Sequence, residues 1–235
     1  MAALALLAGA CASTGPDPLE PANRKIFWFN EQVDMYVLEP VARGWDWALP
    51  DWTQRGIRNF FGNLTRPASL AINLLQLKPR AALEEFLRLL TNTTFGVAGF
   101  IDIWNREGLP ENDEDFDQTL GYWGVPAGPY LVIPFLGPST PRSVVGLAGD
   151  SVASVPPWFI PFYASFGMQG VRIVNLRARY LEEIDQNRRD AFDYYVFLRD
   201  AYLQNLEKRV RDGVEPDPES EDDLYYFDDE ELDDF

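Results

Sequence analysis

Between Gln118 and Val171 the chain runs for 54 residues with only two charged side chains, Arg142 and Asp150, where an average composition would place about 13. No charge interrupts Gln118 to Pro141, a run long enough to cross a bilayer. Yet it holds Gly121, Gly124, Pro126, Gly128, Pro129, Pro134, Gly137, Pro138 and Pro141, and an interior proline costs a helix about 3 kcal/mol. A second uncharged run, Ser151 to Val171, is broken by Pro156, Pro157 and Pro161 among Trp158, Phe159, Phe162, Tyr163 and Phe166. Neither run reads as a membrane-spanning helix. Irregular backbone cannot face hydrocarbon unless protein or water satisfies its polar groups. The segment must therefore line a cavity, lie at an interface or be buried in protein.

The helices that flank this region carry an unusual polarity. Asn23 to Leu38 fits a helix with one aromatic-rich face, and Pro40 is expected to end it. Gly44 to Trp52 gathers Trp45, Trp47 and Trp52 around Pro50, which suits either an indole belt at headgroup level or a packed turn. From Pro67, expected in a first helical turn, to Leu77, only Ser69, Asn73 and Gln76 are polar, at spacings of four and three. They form one narrow stripe on an otherwise apolar cylinder, the reverse of a soluble surface helix. Such a helix is either deeply buried or sits in lipid with its stripe facing something wet. At ~1.5 Å per residue it covers about 16 Å, too short to span ~30 Å of hydrocarbon. Lys78-Pro79 turns the chain into a second helix, Arg80 to Thr94, with Leu83, Phe86, Leu87 and Leu90 on one face; two helices so closely joined form a hairpin. Arg172 to Arg211 returns to amphipathic helix, with Ile173, Tyr180 and Ile184 on a first piece and Phe192, Tyr195, Tyr202, Leu206 and Val210 on a second.

The net charge of −17 is unevenly placed. Residues 212–235 hold thirteen acids and no base, leaving 24 acids against 20 bases upstream, so the body is close to neutral. The tail is expected to be disordered, and nothing in the body offers the basic face that nucleic acid requires. The chain has no histidine, which removes Ser-His and Cys-His nucleophile systems and imidazole-bound zinc. Gly149-Asp150-Ser151 resembles a lipid-hydrolase nucleophile block but lacks the base that block needs. Asp113, Asp115 and Asp117 alternate like calcium-loop ligands, but Gln118 and Gly124 stand where a glycine and a glutamate are required. No phosphate-binding glycine loop is present. The expectation is a protein without enzymatic activity, metal or other cofactor.

At the amino terminus an apolar run, Met1 to Ala8, leads to Gly9-Ala10 and the only cysteine, Cys11. Small residues before a lone cysteine resemble a bacterial lipobox, which makes residues 1–10 a signal peptide, Cys11 the lipid-attachment site and residues 11–16 a tether. Ala12, rather than aspartate, after the cysteine points to the outer membrane. Residues 17–211 then form a single helical domain and 212–235 the acidic tail.

Taken in order, these residues resemble the MlaA/VacJ family of outer-membrane lipoproteins. The matching blocks are Asp17-Pro18-Leu19-Glu20 with Asn23-Arg24, Phe27 and Phe29-Asn30; Asn59-Phe60 with Gly62-Asn63-Leu64 and Pro67; Phe86, Asn92-Thr93, Gly96, Gly99-Phe100 and Asp102; Gln118-Thr119-Leu120-Gly121 with Trp123-Gly124, Gly128-Pro129-Tyr130, Pro134 and Gly137; and Asp193-Tyr194, Arg199, Tyr202 and Gln204. The resemblance implies an all-α, ring-like arrangement of amphipathic and interfacial helices, including a helical hairpin and glycine- and proline-rich irregular segments, with no transmembrane span. It also implies a lipid-anchored protein on the periplasmic-leaflet side of the outer membrane. Such proteins take phospholipids that have strayed into the outer leaflet, pass them through an amphipathic channel to a periplasmic lipid carrier, and sit beside trimeric porins. On this reading Ser69, Asn73 and Gln76 line the lipid path. The alternative is a structural adaptor that clamps a porin or another envelope partner without moving lipid.

Overall fold

Pro21 in the first turn of α1 (Glu20–Val33) occupies a position where a missing N–H goes unused. The helix does not stop before Pro40. It passes through a π turn, Asp34–Leu38, directly into α2 (Glu39–Ala48), which corrects the expected end. The π turn adds one residue to the coil just upstream of the proline, so the preceding carbonyls no longer meet the proline ring in α-helical register. In the computed structural model, which describes residues 17–106, 114–154 and 160–211, the next element is α3 (Asp51–Leu75). Pro67 lies inside this 25-residue helix rather than at its start, a second correction. The residues before it, from Asp51 onward, already have helical continuity, and the helix absorbs one absent hydrogen bond.

A turn with Leu77 at φ 59° joins α3 to α4 (Pro79–Thr94), closed by Lys78 N–H donating to the Asn73 carbonyl at 2.9 Å. This is the expected helical hairpin. Beyond α4 the chain reverses through three left-handed residues, Val97, Ala98 and Gly99, at φ 54°, 57° and 89°. Only a glycine fits at 99, since a Cβ there would lie 2.3 Å from the Asn63 Cβ. The reversal lays Phe100 across α3 at Gly56, where an added Cβ would lie 2.1 Å from the ring. Gly56→Ala should therefore destabilise the protein by about 1–3 kcal/mol through overpacking, and Gly56→Ala with Phe100→Leu should recover much of that loss in thermal unfolding.

The short α5 (Ile103–Arg106) follows, then α6 (Phe116–Tyr122), capped by the Asp115 carboxylate accepting from Gln118 N–H at 2.8 Å. The proline- and glycine-rich stretch then forms a loop and a two-stranded antiparallel hairpin, β1 (Leu131–Ile133) with β2 (Gly137–Ser139), in register Leu131 to Ser139 and Ile133 to Gly137. α7 (Pro141–Ala153) begins at the next proline, with Thr140 as its N-cap. Pro156, Pro157, Trp158 and Phe159 of the second uncharged run lie outside the described residues; after Pro161 the run is helical, as the start of α8 (Phe162–Arg179). Breaks at Tyr180 and at residues 191–193 separate α8 from α9 (Leu181–Asp190) and α10 (Tyr194–Val210). Tyr195 and Leu206 face inward as expected, but Phe192 does not belong to that face; it sits in the break, fully exposed.

Contacts between elements close a circuit. α1 packs on β1, β2 on α10, α10 on α6, α6 on α7, α7 on α3, α3 on α8, and α8 on α2, which continues α1. This is the all-α ring with a helical hairpin that the sequence resemblance implied, with one small β-hairpin in its wall. No helix among the described residues is long and apolar enough to cross a membrane. Among the described residues, buried apolar side chains form two separate clusters, Ala42, Ala178 and Leu181 in one and Tyr130, Val132 and Tyr195 in the other.

Candidate functional site

The polarity of the fold is inverted. Among the described residues, twenty polar or charged side chains are buried against ten apolar ones, so polar contacts, more than apolar packing, fill the interior. The large apolar residues stand outside. On α3 and its turn these are Leu74, Leu75 and Leu77; on α4, Leu83, Phe86, Leu87 and Leu90; on α7, Val144, Val145 and Leu147; on α8, Phe166 and Ile173, whereas Leu176 faces the cavity described below. Trp47 is 91 % exposed and Trp52 also points outward, whereas Trp45 is half-buried and donates its indole N–H to Asn175 Oδ1 at 3.1 Å. Exposed apolar surface this extensive marks a partner or membrane surface rather than a water-facing one.

The hairpin shows how the sequence produces this. The inward face of α4 carries Ala82, Glu85, Arg88 and Asn92, and that of α3 carries Asn63, Arg66, Ser69, Asn73 and Gln76. Arg66 Nη1 donates to Glu85 Oε2 at 2.6 Å and its Nη2 lies 3.5 Å from Asp102 Oδ2. Asn92 donates to Asp102 at 3.0 Å and accepts from Ile103 N–H at 3.0 Å. Asn63 donates to Thr93 Oγ1 at 3.0 Å, and Asn59 to the Phe100 carbonyl at 3.3 Å. Many residues of the second and third sequence blocks thus tie α3 to the chain returning from α4. The first block clamps the β-hairpin in the same manner. The Asn23 side chain donates to the Tyr130 carbonyl and accepts from Val132 N–H, both at 3.0 Å, and Asn30 does likewise with Ile133 and Phe135 at 2.9 and 2.8 Å. Asp17 accepts from Asn23 and from the Tyr195 hydroxyl.

Ser69, Asn73 and Gln76 are brought onto one face, and all three are buried. Asn73 donates to the Ser69 carbonyl at 2.8 Å, while Gln76 donates to Glu114 Oε2 and Thr119 Oγ1, each at 3.0 Å. The same inward face opens one to four turns upstream, where Arg55, Arg58, Gly62, Thr65 and Arg66 line a cavity of about 680 Å³. α8 supplies its opposite wall through Arg172, Asn175 and Arg179, and the α2–α3 corner closes one end with Asp46, Asp51 and Gln54. Gln54 is held by donating to Asp46 at 3.0 Å and the Leu49 carbonyl at 2.9 Å, and its own carbonyl accepts from Asn175 at 3.1 Å. Sequence reasoning missed this cavity. Its only local signal was the arginine spacing at 55 and 58 on one helix and 172 and 179 on another, and nothing in either segment pairs the two helices.

The wall beside the cavity is secured by a charge cluster. Arg177 donates to Asp34 at 2.8 and 3.0 Å; Arg188 reaches Asp34 at 2.9 Å and Glu31 at 3.0 Å. Burial pushes Asp34 upward, but the two guanidinium hydrogen bonds outweigh it and hold the carboxyl below its ordinary value. For Glu31 burial prevails over Arg188, and its pKa is raised. Cys11, Asp113 and the acidic tail lie outside the described residues.

A model of the MlaA lipoprotein family matches residues 15–209. The intermembrane phospholipid transport system lipoprotein MlaA of Haemophilus influenzae is 37 % identical over 207 residues, covering 84 % of this chain and 80 % of the relative. The protein of that name from Escherichia coli K12 is 36 % identical over 209 residues, covering 85 % of this chain and 82 % of the relative. Among solved structures, a chain described under "Structural basis for maintenance of bacterial outer membrane lipid asymmetry" aligns with a TM-score of 0.72 and 34 % identity, covering 83 % of this chain and 98 % of that one.

Proposed function

The chain belongs to the MlaA lipoprotein family, and from that premise we propose that it removes mislocalised phospholipids from the outer leaflet of the outer membrane. The lipids pass through an amphipathic channel within the ring to a periplasmic lipid carrier, which maintains the asymmetry of the membrane. Cys11 carries the acyl anchor, the ring lies in the periplasmic-side leaflet, and a trimeric porin is its neighbour. No covalent step is assigned, in keeping with a chain that lacks histidine.

One observation carries the reading: apolar side chains face out and polar side chains face in, around a cavity with a polar wall. A lipid moving along such a ring keeps its headgroup against arginine, asparagine and glutamine while its acyl chains stay against leucine and phenylalanine. The polar face of α3 supplies the path. Its open part runs from Arg55 to Arg66, and Ser69, Asn73 and Gln76 form its closed continuation.

In cells lacking this protein, phospholipid accessible to externally added phospholipase should rise, and the wild-type chain should lower it again. Asn73→Leu with Gln76→Leu should fail to lower it, although the protein remains folded and membrane-bound. Normal clearance by that double variant would place the path elsewhere in the ring. An adaptor without transport predicts no change in surface phospholipid when the protein is removed.

A further inference from the structure

Two pairs of consecutive elements far apart in sequence, the end of α2 with the start of α3 and α8 with the first turn of α9, bring charges of both signs to the cavity. Arg55, Arg58, Arg172 and Arg179 line it together with Asp46, Asp51 and Glu182. Several of these charges are not used in holding the fold. Arg55 and Arg172 form no ion pair with a described residue, and Asp51 and Glu182 accept no hydrogen bond from one. Arg66, on the same wall, behaves differently and is committed to Glu85 and Asp102. The volume of about 680 Å³ falls in the ~300–1,000 Å³ range of small-molecule sites, which suits a polar headgroup with its glycerol. The acyl chains would remain outside on the apolar surface. Trp47 and Trp52 directly follow Asp46 and Asp51 and point outward, and indoles favour the headgroup level of a membrane. The cavity thus lies beside side chains suited to the headgroup level.

Given the phospholipid-transport reading, on which this inference rests, we propose that the cavity is a headgroup site selective for zwitterionic phospholipids bearing a primary amine, of the phosphatidylethanolamine kind. The phosphodiester lies against Arg55, Arg58, Arg172 and Arg179, whose guanidinium forks match its oxygens. The ammonium lies against Asp51 and Glu182, with Asp46 beside them. A choline headgroup carries the same charges but has no N–H to donate to those carboxylates. A glycerol headgroup satisfies the arginines and offers the carboxylates hydroxyls but no cation. A lipid without phosphate leaves the arginines unpaired.

The test equilibrates the purified full-length protein in detergent with equal amounts of phosphatidylethanolamine, phosphatidylcholine, phosphatidylglycerol and diacylglycerol of one acyl composition, and quantifies retained lipid by mass spectrometry. Phosphatidylethanolamine should be retained several-fold over the other two phospholipids, and diacylglycerol should not be retained. Arg55→Ala with Arg172→Ala should lower retention of all phospholipids by about tenfold, equivalent to ~1.4 kcal/mol. Asp51→Asn with Glu182→Gln should abolish the preference for the ethanolamine headgroup while phospholipid is still retained. All four side chains are exposed, and unchanged thermal unfolding would verify that each variant is folded. Equal retention of the ethanolamine and choline lipids by the wild-type protein would overturn the headgroup site and leave the transport reading standing. Retention of no phospholipid at all would overturn both. Binding of soluble glycerophosphoethanolamine as tight as that of the lipid would assign the cavity to a soluble metabolite and overturn the lipid assignment.

Discussion

Leu83→Asp with Leu90→Asp should move the protein from vesicles into solution. Both leucines are about half exposed and lie with Phe86 and Leu87 along the outward stripe of α4. On a surface facing water, each change would alter stability by no more than about 0.5 kcal/mol. On a surface immersed in acyl chains, each carboxylate costs up to about 2.5–3.5 kcal/mol at the bilayer centre and less near the headgroups. Two such costs are enough to reverse the partitioning of an interfacial helix. The measurement is vesicle flotation in a Cys11→Ser background, so that acyl chains do not mask the result, with circular dichroism to verify helix content. Unchanged flotation would show that this face of α4 is not in lipid. The outward stripe would then be a protein-binding surface, and the inverted polarity would no longer support a conduit.

The second large effect concerns the interior. Arg66→Ala should destabilise the protein by about 3–5 kcal/mol, because it breaks a buried ion pair by removing one of its partners. Glu85 is 2 % exposed and accepts from Arg66 at 2.6 Å. Replacing both partners together, Arg66→Met with Glu85→Leu, should recover most of the loss, since a well-packed apolar pair carries no desolvation penalty. Thermal unfolding in detergent distinguishes the two outcomes. A loss below about 1 kcal/mol for Arg66→Ala would mean that the pair behaves as a solvated surface bridge, with water reaching deep into the α3–α4 interface. The recovered double variant separates stability from transport in a further way. It removes a cation from the cavity wall while restoring the fold, so any remaining transport defect reflects the path and not the packing.

Helix periodicity made the α3–α4 hairpin legible. Leu83, Phe86, Leu87 and Leu90 share a face at 3.6 residues per turn, and so do Ser69, Asn73 and Gln76. The prolines were harder to read. Pro40 and Pro67 each suggested a boundary, but one is accommodated by a π turn and the other sits within a 25-residue helix. The cost of a missing N–H is local, whereas the gain from continuing a packed helix is collective. Spacing alone puts Phe192 on one face with Tyr195 and Tyr202, and the break at residues 191–193 removes it from that face. The residues carrying the family resemblance were visible, but what they do was not. Asn23 and Asn30 are fasteners whose side-chain amides bond backbone carbonyls about a hundred residues away, while Asn63 and Asn92 bond the side chains of Thr93 and Asp102.

The sequence by itself determined that the chain is helical, that its charge-poor segment is no membrane span, that histidine chemistry is absent, and to which family the blocks from Asp17 to Gln204 point. Tertiary structure decided which side of each helix is inside. A period of 3.6 residues is the same whether the apolar stripe faces a core or a lipid, so periodicity identifies a face without assigning it an environment. Tertiary structure alone also created the cavity. Arg55 and Arg172 are separated by more than a hundred residues and share a wall only because α8 packs on α3, and no local spacing encodes that contact.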